Sequence, residues 1–246
     1  MGQRNKHNCL NCGSAIAENY CPNCGQSTTI HRITFRETIN DFFSSTFALE
    51  GPLLLTIKLL ILNPGRLFRE FIEGKRKTYY KPVAFFVVLT ALYLIIRSAS
   101  GFDPFHNQPQ MKGRDVPERA MIFIEAGRFM VAHINHIMFF LVFAIGLSNK
   151  LFFYRKYNLA EYITTGFYIS GIYILVGIAQ ILFSVYVFYI SPQLNMVFLF
   201  AYLFYASFSF HKNTSFMAIV KYLLLSVFAI ILYVVFGFSF SLLVVS

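Results

Sequence analysis

The chain has 246 residues, a formal charge of +10, 13% charged residues and 57% hydrophobic ones, with 30 Phe and 15 Tyr. Soluble domains carry about a quarter of their residues charged, and here the run from Tyr162 to Phe210 has no Asp, Glu, Lys or Arg at all. That excludes an ordinary soluble domain. The basic excess sits beside apolar stretches, where it meets anionic headgroups and sets topology, so nucleic acid is not an expected partner.

The first 28 residues are polar, with no apolar core of signal-peptide length, so no cleavable signal is expected and the N-terminus should stay in the cytoplasm. All four cysteines lie there, as Cys9-Leu10-Asn11-Cys12-Gly13 and Cys21-Pro22-Asn23-Cys24-Gly25. Each Cys-x-x-Cys-Gly can form a tight knuckle, its Gly taking a backbone conformation that other residues resist. Two knuckles bring four thiolates to one ion. In a reducing cytoplasm this favours one structural zinc held by Cys9, Cys12, Cys21 and Cys24, with no open position for catalysis. Rubredoxin-like iron is the rival, and the short spacer favours a zinc ribbon.

Residues Thr34 to Leu49 place Phe35, Ile39, Phe42, Phe43 and Phe47 at helical spacing against a polar face, an amphipathic helix. Leu53 to Leu62 is apolar but too short to cross a bilayer core of about 30 Å, and is expected at the interface or as a dip that returns at Asn63-Pro64-Gly65. Pro64 then suits a first helical turn, Leu67, Phe68, Phe71 and Ile72 form an apolar stripe, and Gly74 is a natural stop. Arg66 with Glu70 and Arg69 with Glu73 are expected i,i+4 pairs.

The collar Lys75, Arg76, Lys77 and Lys81 follows, interleaved with Tyr79 and Tyr80. It is expected to act as a topology signal with interfacial aromatic anchors and to meet anionic lipids of the cytoplasmic leaflet. Five spans come next, at Val83 to Ile96, Phe129 to Leu147, Tyr162 to Ile190, Leu194 to Phe210 and Tyr222 to Val245. With the N-terminus inside, the loop bearing Lys150, Arg155 and Lys156 and the loop bearing Lys212 and Lys221 fall inside too. The C-terminus then falls in the periplasm, and the loop from Arg97 to Arg128 faces out. The expected architecture is an all-α polytopic membrane protein of about five transmembrane helices with a small N-terminal zinc ribbon. Its parts are a cytoplasmic ribbon over residues 1–30, interfacial helices and collar over 31–82, and a bundle over 83–246.

Within the bundle, His133, Asn135, His136 and Gln180 form a candidate polar site, because polar groups at membrane depth are functional candidates. Histidines three apart can share a metal, but no third ligand is near in sequence, so hydrogen bonding to neighbouring helices is the simpler role. Gln180 is expected to make one interhelical hydrogen bond. Gly166, Ser170, Gly177 and Ser184 share one helical stripe, a seam for close packing within the chain or in a homo-oligomer. No catalytic triad, phosphate-cradling loop or zincin motif is present.

The two knuckles with Tyr20 and Gly25-Gln26, then Glu50-Gly51-Pro52, Asn63-Pro64-Gly65, Gly74-Lys75-Arg76, Tyr79 and Pro82, resemble an uncharacterised bacterial membrane family catalogued as domain of unknown function 3667. The resemblance covers about the first 95 residues. It implies a zinc ribbon joined to a multi-span bundle and carries no activity. Three functions follow as expectations: a non-enzymatic integral inner-membrane protein whose ribbon docks or regulates a protein partner; a transporter or lipid-handling protein with a regulatory ribbon; and a metal-dependent enzyme using His133 and His136.

Overall fold

The computed structural model describes residues 8–16, 19–29, 32–35, 52–105, 117–191 and 193–245, apart from the side chains of Glu118, Arg119, Asn135 and His136. Among the described residues are eight helices: α1 Pro52–Leu62, α2 Pro64–Glu73, α3 Pro82–Ser100, α4 Glu118–Ala132, α5 Ile134–Phe152, α6 Leu159–Tyr186, α7 Gln193–His211 and α8 Phe216–Val245. By length and composition α3, α6, α7 and α8 can each cross a membrane. The α4–α5 pair makes a fifth span if taken as one broken helix. The helix expected over Thr34 to Leu49 lies, beyond Phe35, outside the described residues.

Helix α2 begins and ends where local chemistry dictates. Asn63 caps it by accepting from the Arg66 amide at 3.1 Å, Pro64 occupies the first turn, and Gly74 closes it at φ 116° in the left-handed region. Its stripe is buried in the bundle: Phe68 and Phe71 stand 6.2 and 5.7 Å from the ring of Tyr168 on α6. Arg66 pairs with Glu70 at 2.9 Å, as spacing predicts. Arg69 does not turn to Glu73. Its guanidinium donates to the carbonyl oxygens of Ser209 and Phe210, near the end of α7, which has four orphan carbonyls to satisfy. Gly65 meets the same spot, its amide donating to the Ser209 hydroxyl at 3.1 Å.

Helix α6 is the axis of the bundle, with α3 on one side and α5 on the other. The small-residue stripe makes these approaches close. A Cβ on Gly166 would stand 2.6 Å from the Val142 carbonyl oxygen of α5, one on Gly177 would touch the Tyr93 ring of α3 at 3.4 Å, and Ser170 is fully buried. At these three positions the seam packs within the chain. Ser184, the fourth, turns to the backbone of Ile190.

Two expected spans are corrected. Phe129 to Leu147 is not one straight helix, because the chain bends by 88° between α4 and α5. The half before the bend lies against the far part of α8, with Phe123 stacked on Phe238 at 6.1 Å and Met130 beside Gly237. Helix thus replaces part of the expected loop from Arg97 to Arg128. The third span ends at Tyr186 rather than Ile190, since Ser184 and Gln180 take the Ile190 amide and carbonyl and fold the chain back.

The start of α3, the end of α5, the start of α6, the end of α7 and the start of α8 share one end of the bundle, and the cysteine module sits there. Arg32 ties the module down, its Nε and Nη2 meeting the two carboxylate oxygens of Glu161 at 3.1 and 3.0 Å. Glu161 also completes the capping box of α6 with Asn158, and its side chain is only 3% exposed. Replacing Arg32 with alanine strands that carboxylate. Because the guanidinium itself is half exposed, the expected loss is about 1–3 kcal/mol rather than the larger figure for a fully buried pair. A fall in thermal midpoint together with faster proteolysis between residues 29 and 35 checks it.

Candidate metal centre and its seat on the collar

The two knuckles fold alike because their sequences do. In the first, the Cys9 amide donates to the Ser14 carbonyl and the Gly13 amide to the Cys9 carbonyl, both at 2.8 Å. In the second, Cys21 donates to Gln26 and Gly25 to Cys21, again at 2.8 Å. Gly13 at φ 78° and Gly25 at φ 68° make the turns, where a side chain would be strained. A single antiparallel bridge closes each hairpin, Asn8 with Ala15 and Tyr20 with Ser27.

This brings together the four cysteines read as ligands, with all sulfurs within 4.8 Å of one another. The Sγ atoms of Cys9 and Cys24, and of Cys12 and Cys21, lie 3.6 Å apart. A tetrahedron with bonds of about 2.3 Å has edges of about 3.8 Å, so the cluster fits one four-coordinate ion. That geometry suits zinc and iron alike. Hydrogen bonding with Ser14 draws the Cys12 thiol down to about 6, whereas burial pushes Cys24 up to about 11. A bound divalent cation would hold all four as thiolates and so release protons on loading.

The module is seated on the basic collar. The Gln26 side chain donates to the Gly74 carbonyl at 2.9 Å and accepts from the amides of Arg76 and Lys77 at 3.1 and 3.0 Å. Asn11, inside the first knuckle, accepts from the Thr78 amide at 3.0 Å and from the Thr78 hydroxyl. Four hydrogen bonds thus satisfy backbone groups of the irregular stretch from Gly74 to Thr78, and a fifth holds the Thr78 side chain. Sequence reasoning missed this role of Asn11 and Gln26. The available signal was Gln26 itself, an amide placed directly after the second knuckle.

Beneath the loop the aromatic residues go inward. Tyr79 and Tyr80, expected as interfacial anchors, are 3% and 8% exposed. The Tyr79 hydroxyl donates to Glu70, the Tyr80 amide to Thr56 at 2.9 Å, and the Tyr168 hydroxyl to the Tyr80 carbonyl at 2.6 Å. They are buried because α1, α2 and α6 close around this entry point, each supplying a partner for a polar atom. Lys75 reaches Glu70 at 3.3 Å, while the Lys77 side chain is exposed. Desolvation by itself would raise the Glu70 carboxyl, but hydrogen bonds from Tyr79, Arg66 and Lys75 outweigh it and hold the carboxyl below its usual value. A depressed carboxylate stabilises the fold above its unfolded pKa, and that contribution disappears as pH falls through the lower, folded value. The wild-type protein should therefore lose stability on acidification below the carboxylate range, and Glu70→Gln should show less of this acid dependence in thermal melts.

Of the candidate intramembrane polar site, the side chains of His133 and Gln180 are among the described residues. His133 stands at the bend, its Nδ1 3.2 Å from the Phe129 carbonyl and its ring stacked on Phe129; the side chains of Asn135 and His136 lie outside the described residues. Gln180 makes the interhelical bond expected of it, accepting from Asn195 of α7, a partner that sequence reasoning did not single out. Beside them is a cavity of about 60 Å³, lined by Tyr93, Arg97, Gly177, Gln180 and Asn195 among others. Among the described residues the four cysteines are the one cluster of three or more His, Cys, Asp or Glu side chains able to share an ion.

No curated protein and no solved structure matches the chain. Residues 50–94, which run from just before α1 through α2 and the collar into α3, match the family described as protein of unknown function (DUF3667), and the match covers under a fifth of the chain.

Proposed function

We propose that this is a non-enzymatic protein of the inner membrane whose cytoplasmic ribbon, folded around one zinc ion, acts as a docking and regulatory module for a protein partner. The seat of the ribbon on the collar is the observation that carries this reading. Asn11 and Gln26 lie in and beside the knuckles, so the order of the metal site is transmitted to the loop from Gly74 to Thr78. Four cysteine ligands close the ion's coordination and suit a structural rather than a catalytic role. Regulation then consists of presenting or covering the collar, whose exposed Lys77 and neighbouring Lys75, Arg76 and Lys81 attract anionic lipid and bring the module's outer face to a partner.

Cross-linking and pull-down from membranes test this with the intact protein, Cys21→Ser and Gln26→Ala. Partners captured by the intact protein should be lost with Cys21→Ser and reduced several-fold with Gln26→Ala. Identical capture by all three would end the docking reading. A second reading, a transporter or lipid-handling bundle under ribbon control, has the cavity beside Gln180 and Asn195 in its favour. That cavity has room for a few waters and for no lipid or larger solute, so the docking reading stands ahead of it.

A further inference from the structure

A second concavity, lined by none of the cysteines or collar residues, lies among the last turns of α5, the start of α6 and the middle of α8. It is an open groove of about 530 Å³, within the usual range for ligand sites. Leu147, Leu151, Leu159, Phe228 and Leu232 line it, with Lys150 and Tyr154 at the end toward the cysteine module. Both α5 and α8 are apolar span helices, and Leu151 stays 62% exposed, so the surrounding medium here is acyl chain rather than water.

The head of the groove is cationic. The Lys150 ammonium donates to the carbonyls of Tyr154 and Tyr157 at 2.6 and 3.2 Å, which fixes it in place and uses two of its three N–H groups. The Arg155 guanidinium lies over the Tyr154 ring at 5.2 Å. Glu161, the nearest carboxylate in sequence, is turned away and held by Arg32. An apolar trough with Lys150 in its lining and Arg155 over the lining Tyr154, neither paired with an acid among the described residues, complements one kind of molecule in a membrane. We propose that this groove binds a single anionic phospholipid of the leaflet next to the cysteine module, an acyl chain lying along Leu147, Leu151, Phe228 and Leu232 and the phosphate meeting Lys150 and Arg155. Basic pockets between spans recognise acidic headgroups in this way. This goes beyond the docking reading and stands if that reading fails.

The chain has no tryptophan, so Phe228→Trp places a single fluorophore in the groove. The full-length variant is reconstituted in phosphatidylcholine vesicles containing small fractions of brominated phosphatidylglycerol or brominated phosphatidylcholine. The expected result is that the phosphatidylglycerol quenches at about five-fold lower mole fraction, the preference that one ammonium provides at a membrane surface. Adding Lys150→Gln should bring the two lipids near parity, and Lys150→Arg should retain the preference. Arg155→Gln, which disturbs no backbone contact, should lower it about two-fold. Equal quenching by both lipids overturns the proposal, as does a preference unchanged in both Lys150→Gln and Arg155→Gln. So does an equal preference reported by Leu223→Trp, on another face of α8, because that would be general surface attraction without a site.

Discussion

Cys21→Ser is expected to remove both the bound metal and the order of a loop some fifty residues further along the chain. Cys21 is 2% exposed and sits at the centre of the module, which has little apolar sequence of its own. Were the ion zinc, it would contribute about 10–16 kcal/mol of apparent binding free energy, as it does in zinc-finger peptides, and that is also folding free energy. Without it the knuckles open and Asn11 and Gln26 leave the collar. Metal content should fall from one ion per chain to none, and the amides of Arg76, Lys77 and Thr78 should exchange with solvent at least ten-fold faster. Gln26→Ala separates the two effects: metal content is retained, while the amides of Arg76 and Lys77 lose their Gln26 acceptor and exchange faster, because unpairing a buried polar group costs about 1–3 kcal/mol, and the Thr78 amide keeps Asn11. If the collar amides of Cys21→Ser stayed as protected as those of the intact protein, the ribbon would not be what orders the loop.

Gly65→Ala should be the most damaging single methyl group in the described part of the chain. A Cβ at this position falls within contact distance of the Ser209 carbonyl and the Phe210 amide nitrogen, and both are backbone that cannot rotate away. Accommodating it means parting α2 from α7. That would also stretch the Gly65 amide from the Ser209 hydroxyl and the Arg69 guanidinium from the two carbonyls it bridges. Overpacking of this kind costs about 1–3 kcal/mol, and the lost charge-assisted hydrogen bonds place Gly65→Ala at or above the upper end. Thermal unfolding in detergent should show a fall of roughly 5–10 °C. Gly127→Ala is the control, since its Cβ would meet nothing within 4 Å and alanine is the better helix former. A Gly65→Ala protein as stable as Gly127→Ala would show that the two backbones are not in contact.

Several structural roles meet within this short stretch. Asn63-Pro64-Gly65 is a cap, a first turn and a point of backbone contact in three successive residues. Gly74 ends α2 and presents its carbonyl to Gln26. Gly65→Ala therefore perturbs this entry structure from the side of α7, and Cys21→Ser from the side of the cysteine module.

Much of the architecture was legible in the residues because it rests on short-range rules. Cys-x-x-Cys-Gly makes a knuckle whatever surrounds it, Pro64 and Gly74 bound a helix, and charge-free apolar runs of span length become helices because no other backbone form pairs its own polar groups. The structure adds the capping box of Asn158 and Glu161, a local feature of the same kind three residues apart. What the sequence alone could not determine was anything settled by a partner distant along the chain. Whether Tyr79 and Tyr80 face lipid or core depends on Glu70, Thr56 and Tyr168 closing around them, and whether Arg69 meets Glu73 or α7 depends on where α7 ends. The bend before α5 falls at His133 with neither proline nor glycine to announce it, set by packing of the preceding helix across α8. Local sequence determined that this chain is a thiol knuckle pair followed by apolar helices; only the tertiary structure decided that the knuckles rest on the collar, because hydrogen bonds reaching across 48 to 67 residues leave no periodicity to read.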